Sequence, residues 1–197
     1  MKNPLRSLYD WVLSWAHKPG GDIALYSISF AESSFFPVPP DPLLMAFCLS
    51  NPKKSLNYAF FTTISSVLGG MFGYLIGVFL FESVGKFLLN LYHYWDAYYS
   101  VKKIFDSYGF VAILIAGFTP IPYKVFTIAS GSFYLNFPLF VLASLLSRGA
   151  RFFLVSVLLL FFGQKIRDFI EKYFDWLALA FVVLLVAGFL VIKYALS

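Results

Sequence analysis

Five charged residues stand where a hydrocarbon environment would be expected. Glu32 and Asp41 flank one proline-rich stretch, Lys124 follows a second, and Arg148 and Arg151 sit inside a long apolar run. A charge at mid-bilayer costs roughly 2.5–3.5 kcal/mol on insertion scales, so such residues are kept for pairing, for binding or for moving protons. Desolvation disfavours an ionised carboxylate and a neighbouring cation favours it, so a site holding both can exchange protons. Arg148 and Arg151 are three apart, on neighbouring positions of one helix face. Two guanidinium groups with Lys124 suit a phosphate, which the arginine fork grips in bidentate fashion. The chemistry to expect is proton exchange at Glu32 and Asp41 and phosphate binding at Lys124, Arg148 and Arg151. The bland alternative is that the charges pair off and hold the chain together.

The environment follows from composition. Of 197 residues, 60% are hydrophobic and 13% charged, and the mean hydropathy is +0.78. Soluble domains carry roughly 25% charged residues. The pattern is that of an all-α integral membrane protein crossing the bilayer several times. Its net charge of +5 lies in short connections, where it sets topology and does not mark a nucleic-acid surface. Cys48 is the only cysteine, which excludes an intrachain disulfide and a cysteine-built metal cluster. His17 and His93 share no ligand spacing, and no metal or cofactor is expected. The first residues lack the short apolar core and cleavage site of a signal peptide.

The elements that must position these charges are read along the chain. Residues 1–19 alternate Leu, Trp and Val with Lys, Arg and Asp and predict an amphipathic helix on the membrane surface. Residues 22–50 are apolar but interrupted by Pro37, Pro39, Pro40 and Pro42, and no helix runs through four such residues. Each side of the break is shorter than the ~20 residues a span requires. The segment therefore predicts a re-entrant broken hairpin, its irregular backbone shielded by protein. Residues 56–82 predict the first full span, with Gly69, Gly73 and Gly77 at close-packing intervals. Residues 83–107 predict amphipathic interfacial helix. Residues 109–135 form a second hairpin broken at Pro120 and Pro122. Residues 137–162 and 173–194 complete about three full transmembrane helices.

The two halves resemble each other. Residues 36–39 align with 119–122, so that Asp41 falls over Lys124, and a four-residue gap brings Gly70 over Gly149. One span lies between the hairpins, which predicts an inverted-topology repeat around a midplane site. The lysine and arginine bias favours a cytoplasmic N-terminus. A rival topology in which each broken segment spans fully has an equally good bias.

At the breaks the sequence resembles the DedA family, also called VTT or SNARE-associated membrane proteins, and looks most like its YqaA-type branch. The resemblance rests on Glu32 with Phe36-Pro37-Val38-Pro39-Pro40-Asp41, and on Gly117-Phe118-Thr119-Pro120-Ile121-Pro122-Tyr123-Lys124 with Gly131. It covers residues 20–165. It implies a bacterial inner-membrane protein that moves a phospholipid or a polyprenyl phosphate such as undecaprenyl phosphate, with proton coupling. The family's acidic residues match Glu32 and Asp41. Its second motif usually carries two arginines, and here Phe118 stands at the first and Lys124 at the second. Arg148 and Arg151 are candidates for the missing charge. The expected partners are membrane lipids, a lipid-phosphate substrate and protons, with no nucleic acid. Monomer and homo-oligomer both stay open. No nucleophile–base pair or nucleotide loop is present, so no enzyme activity is expected. A non-transporting scaffold or assembly factor and a small-ion exporter remain the alternatives.

Overall fold

The computed structural model describes residues 20–119, 121–163 and 165; the expected surface helix at 1–19 and the span at 173–194 lie outside them. The described residues are helical, with no strand among them. Helix α1 is Gly21–Ser34 and α2 is Asp41–Ser50. A 3-10 turn at Pro52–Lys54 leads into α3, Ser55–Leu80, which passes through a π-turn at Phe81–Gly85 into α4, Lys86–Tyr92. Helix α5 is Trp95–Phe118, α6 is Tyr123–Ser132 and α7 is Phe137–Gly163.

Two helical stretches are long and apolar enough to cross a membrane: Pro52–Tyr92, with mean hydropathy 1.9, and Phe137–Gly163, with 1.8. Their outer faces carry Phe60, Phe72, Phe79, Leu146, Leu154 and Phe161, all exposed, as lipid contact requires and water disfavours. At 1.5 Å per residue, α1, α2 and α6 are about 15–21 Å long, short of a hydrocarbon core of ~30 Å.

The prolines act where the sequence places them. Helix α1 ends at Ser34, and residues 35–40 form the irregular link that holds Pro37, Pro39 and Pro40. Pro42 does not break the chain. It occupies the first turn of α2, where its missing N–H leaves no hydrogen bond unmade. The chain then reverses: Leu25 of α1 packs with Phe47 and Cys48 of α2 and with Ala59 of α3 in one apolar cluster. The second break follows α5 at residues 119–122, of which Pro120 lies outside the described residues. The division expected between residues 107 and 109 is absent, because α5 runs unbroken through both. Gly109 supplies no stop there; it lies mid-helix and faces Leu135.

Small residues set the helix crossings. Along α1, Gly21, Leu25, Ser29 and Ser33 recur every four residues and are buried. The Ser29 hydroxyl donates to the Thr62 carbonyl at 2.9 Å, and Ser33 meets Ser66 at 2.7 Å, so α1 runs parallel to α3. Helix α6 also runs parallel to α3, from Tyr123 beside Gly70 to the Ser132 hydroxyl on the Gly77 carbonyl. Three of these crossings need glycine: a Cβ at Gly69 would overlap the Phe30 carbonyl, one at Gly77 the Ile128 carbonyl, and one at Gly131 the Tyr74 carbonyl. On the other side, α7 runs parallel to α2, with Arg151 at Asp41 and Ser156 at Cys48. It also runs parallel to α5, with Ser147 against Gly117. Helix α7 is antiparallel to α3: Gly149 faces Thr63, Arg148 meets Ser66, and Phe140 packs on Tyr74.

Candidate functional site

The site forms where the first break, the second break and the middle of α7 converge. Arg148 projects from α7 and is 3% exposed. Its Nη2 donates to Glu32 Oε2 at 2.8 Å and its Nε to Ser66 Oγ at 2.7 Å. Its guanidinium lies over the Tyr123 ring at 4.9 Å and the Phe152 ring at 4.7 Å. A cation between two ring faces gains from both quadrupoles when desolvated. Arg148 therefore touches α1, α3 and α6 as well as its own helix. Tyr123 is buried beneath it, and its hydroxyl has no hydrogen-bond partner among the described residues.

Arg151, one turn along, serves other partners. Its Nε and Nη2 grip the two Asp41 oxygens at 2.9 and 3.1 Å, the bidentate fork that fits a carboxylate. Its Nη1 donates to the carbonyls of Thr119 at 2.7 Å and Phe118 at 3.2 Å. Those carbonyls end α5, where the helix leaves its last acceptors unmet. Arg151 thus joins the start of α2 to the end of α5 across the two breaks.

Lys124 stands apart from both pairs. Its Nζ donates to the Phe36 carbonyl in the first break at 3.1 Å. Among the described residues it has no carboxylate partner. All five charges singled out in the sequence are thus brought to the break region, but as two arginine–carboxylate pairs and a lysine bound to backbone. No group of three or more metal-binding side chains occurs among the described residues.

Sequence reasoning missed Ser33, Ser66, Tyr123 and Phe152. Ser33 adjoins Glu32, and its four-residue spacing from Ser29 was visible, but its partner Ser66 is 33 residues away. A cavity of about 390 Å³ lies elsewhere, at the far end of α6, lined by Phe81, Leu88, Tyr98 and Phe133. It is apolar and distant from the charges, so it takes no part in their chemistry.

The described residues are helical, with two helices long and apolar enough to cross a membrane and with two arginine–carboxylate pairs at the breaks. A family model for the VTT domain matches residues 38–161. The chain belongs to this family, the DedA family of membrane proteins. It is 35% identical over 187 residues to an uncharacterized protein of Haemophilus influenzae, covering 95% of this chain and 97% of that one. An uncharacterized homologue from Histophilus somni is 32% identical over the same shares. An uncharacterized protein of Methanocaldococcus jannaschii is 28% identical over 66% of this chain and 79% of its own. No solved structure matches.

Proposed function

We propose that this protein is a proton-coupled transporter, or flippase, of a phospholipid or a polyprenyl phosphate of the undecaprenyl kind. The observation that carries the reading is the pairing of Arg148 with Glu32 and of Arg151 with Asp41 beside the two breaks. A phosphate, like a carboxylate, accepts two parallel N–H bonds from a guanidinium and competes for the same edges. Protonation of Glu32 or Asp41 removes the competing anion and frees the arginine, so proton uptake favours phosphate binding and phosphate binding favours proton uptake. Lys124, which has no carboxylate to displace among the described residues, gives the phosphate its first contact.

The architecture of the reading is an inverted-topology repeat with two re-entrant hairpins. Its support is the contact pattern. Each long helix runs parallel to the first arm of its own hairpin and to the second arm of the other, and the two long helices are antiparallel. In this reading both breaks lie at mid-depth around one site. The protein belongs in this reading to the inner membrane of a bacterium, with its N-terminus in the cytoplasm.

A second reading has an observation of its own. Arg151 commits four of its five N–H donors to Asp41 and two backbone carbonyls, as a structural clasp would. A non-transporting scaffold or assembly factor would need no more. Reconstitution in liposomes separates the two. Lipid-phosphate translocation is followed with and without a pH gradient for wild type, Glu32→Gln and Lys124→Ala, each checked for folding. Transport by wild type that accelerates with the gradient and falls at least about tenfold in both variants supports the transporter. Unchanged translocation in both variants sinks these residue assignments, and a small-ion flux without lipid movement makes the protein an ion exporter.

A further inference from the structure

Four groups at the buried pair close into a ring. Arg148 Nη2 donates to Glu32 Oε2 at 2.8 Å, and Arg148 Nε donates to Ser66 Oγ at 2.7 Å. Ser66 and Ser33 hydroxyls meet at 2.7 Å, and the Ser33 hydroxyl reaches back to the same Glu32 Oε2 at 3.4 Å, the long member of the set. Each hydroxyl has one proton, and one donor sense closes the ring: with the Ser33 proton on Glu32, Ser66 donates to Ser33 and accepts from Arg148. Both serines are fully buried. The other charged or titratable groups nearby are Tyr123 under the guanidinium and Lys124 on the Phe36 carbonyl, both from α6, and the separate pair of Asp41 from α2 with Arg151 from α7.

We infer that Ser33 and Ser66 are positioning residues for proton exchange at Glu32, holding Glu32 and Arg148 in register through both protonation states of the carboxyl group. A hydroxyl both donates and accepts, so it serves either state. With Glu32 ionised, Ser33 donates to it. With Glu32 neutral, the carboxyl O–H donates to Ser33, and Arg148 keeps its bond to Ser66 when its carboxylate partner has gone. The arginine thus stays anchored to α3 and does not drift from the site during exchange. This role rests on the transport reading above; the ring itself does not.

Ser34 is the matched control. It is equally buried on the same face, and its hydroxyl donates to the Phe30 and Gly69 carbonyls, outside the ring. The full-length protein is reconstituted as Ser33→Ala, Ser66→Ala, the double variant, Ser66→Thr and Ser34→Ala. Undecaprenyl phosphate translocation is measured over a range of mole fractions in the vesicle. The expected result is a maximal rate lowered about tenfold in each ring variant, from the loss of a charge-linked hydrogen bond, with the half-saturating mole fraction little changed. The double variant should be no slower than the slower single one, because either change opens the same ring. Ser66→Thr restores the hydroxyl and the rate, and Ser34→Ala leaves the rate at wild-type level. A second readout needs no transport. The infrared carboxyl band of protonated Glu32, identified by its absence in Glu32→Gln, should shift in Ser33→Ala and Ser66→Ala but not in Ser34→Ala. An unshifted band, multiplicative rate losses, or equal losses in Ser34→Ala would overturn the inference. If the wild type moves no lipid phosphate while the band shifts, the ring stands and the transport reading falls.

Discussion

Arg148 and Arg151 share a helix, a charge and a spacing of one turn, yet the structure gives them different work. Arg148 is buried, sandwiched between two rings, and tied to Glu32 and Ser66. Arg151 is about one-fifth exposed and tied to Asp41 and to the end of α5. Removing one partner of a buried pair strands the other charge and costs about 3–5 kcal/mol, whereas replacing both with apolar groups is often neutral. Glu32→Gln should therefore lower the thermal midpoint in detergent, measured by scanning fluorimetry, and Glu32→Gln/Arg148→Met should recover most of the loss. The recovered double variant should still fail to translocate lipid phosphate. Transport at wild-type rate in that variant would mean the pair serves stability alone. Neither arginine's partner was legible in the sequence. The residue types announced a site, but the pairs span 116 and 110 residues, and only packing chooses between Glu32 and Asp41 for each.

Among the helices, α3 is the axis against which α1 and α6 are clamped by backbone-close crossings. A methyl group at Gly69 or Gly131 would collide with a carbonyl of the neighbouring helix, which no side-chain rotation relieves. Overpacking of this kind costs about 1–3 kcal/mol or more. Gly69→Ala and Gly131→Ala should each reduce the yield of monodisperse protein in size-exclusion chromatography. Gly149→Ala should not, because its Cβ would meet only a Thr63 methyl at 3.7 Å and alanine favours the helix. Equal behaviour of all three variants would contradict the crossings. The glycine spacing in residues 56–82 was legible as a packing face, because residues four apart fall on one side of a helix. Which helices fill that face was not legible, since periodicity describes a surface and not its partner. The unbroken α5 makes the same point: its polar first half and apolar second half read as two segments, but no proline or cap interrupts the backbone between them.

The whole molecule is organised by reversals at the two breaks. Leu25 near the start of α1 shares a cluster with Cys48 near the end of α2, so the first hairpin begins and ends at one level. In a Cys48→Ala background, cysteines introduced at Asp22 and Lys53 should label from the same face of an intact vesicle, and one at Ser100 from the opposite face. Labelling of positions 22 and 53 from opposite faces would establish the rival topology in which residues 22–50 cross fully. With the charge bias, positions 22 and 53 are expected on the cytoplasmic side.

The sequence alone determined the solvent, the helical class and the breaks. These depend on local chemistry: apolar composition, 3.6-residue periodicity, and prolines that cannot donate or continue a helix. It also singled out five charges as candidates, because an ionised group in an apolar run is costly wherever the chain folds. Only the tertiary structure decided how those charges are neutralised. It gave Arg148 to Glu32 and Arg151 to Asp41, and left Lys124 on a backbone carbonyl. It also drew two unremarked serines into the ring around Glu32. Pairing of this kind is set by how α7 lies against both hairpins, and that is fixed by contacts between residues far apart in the chain, which no local pattern encodes.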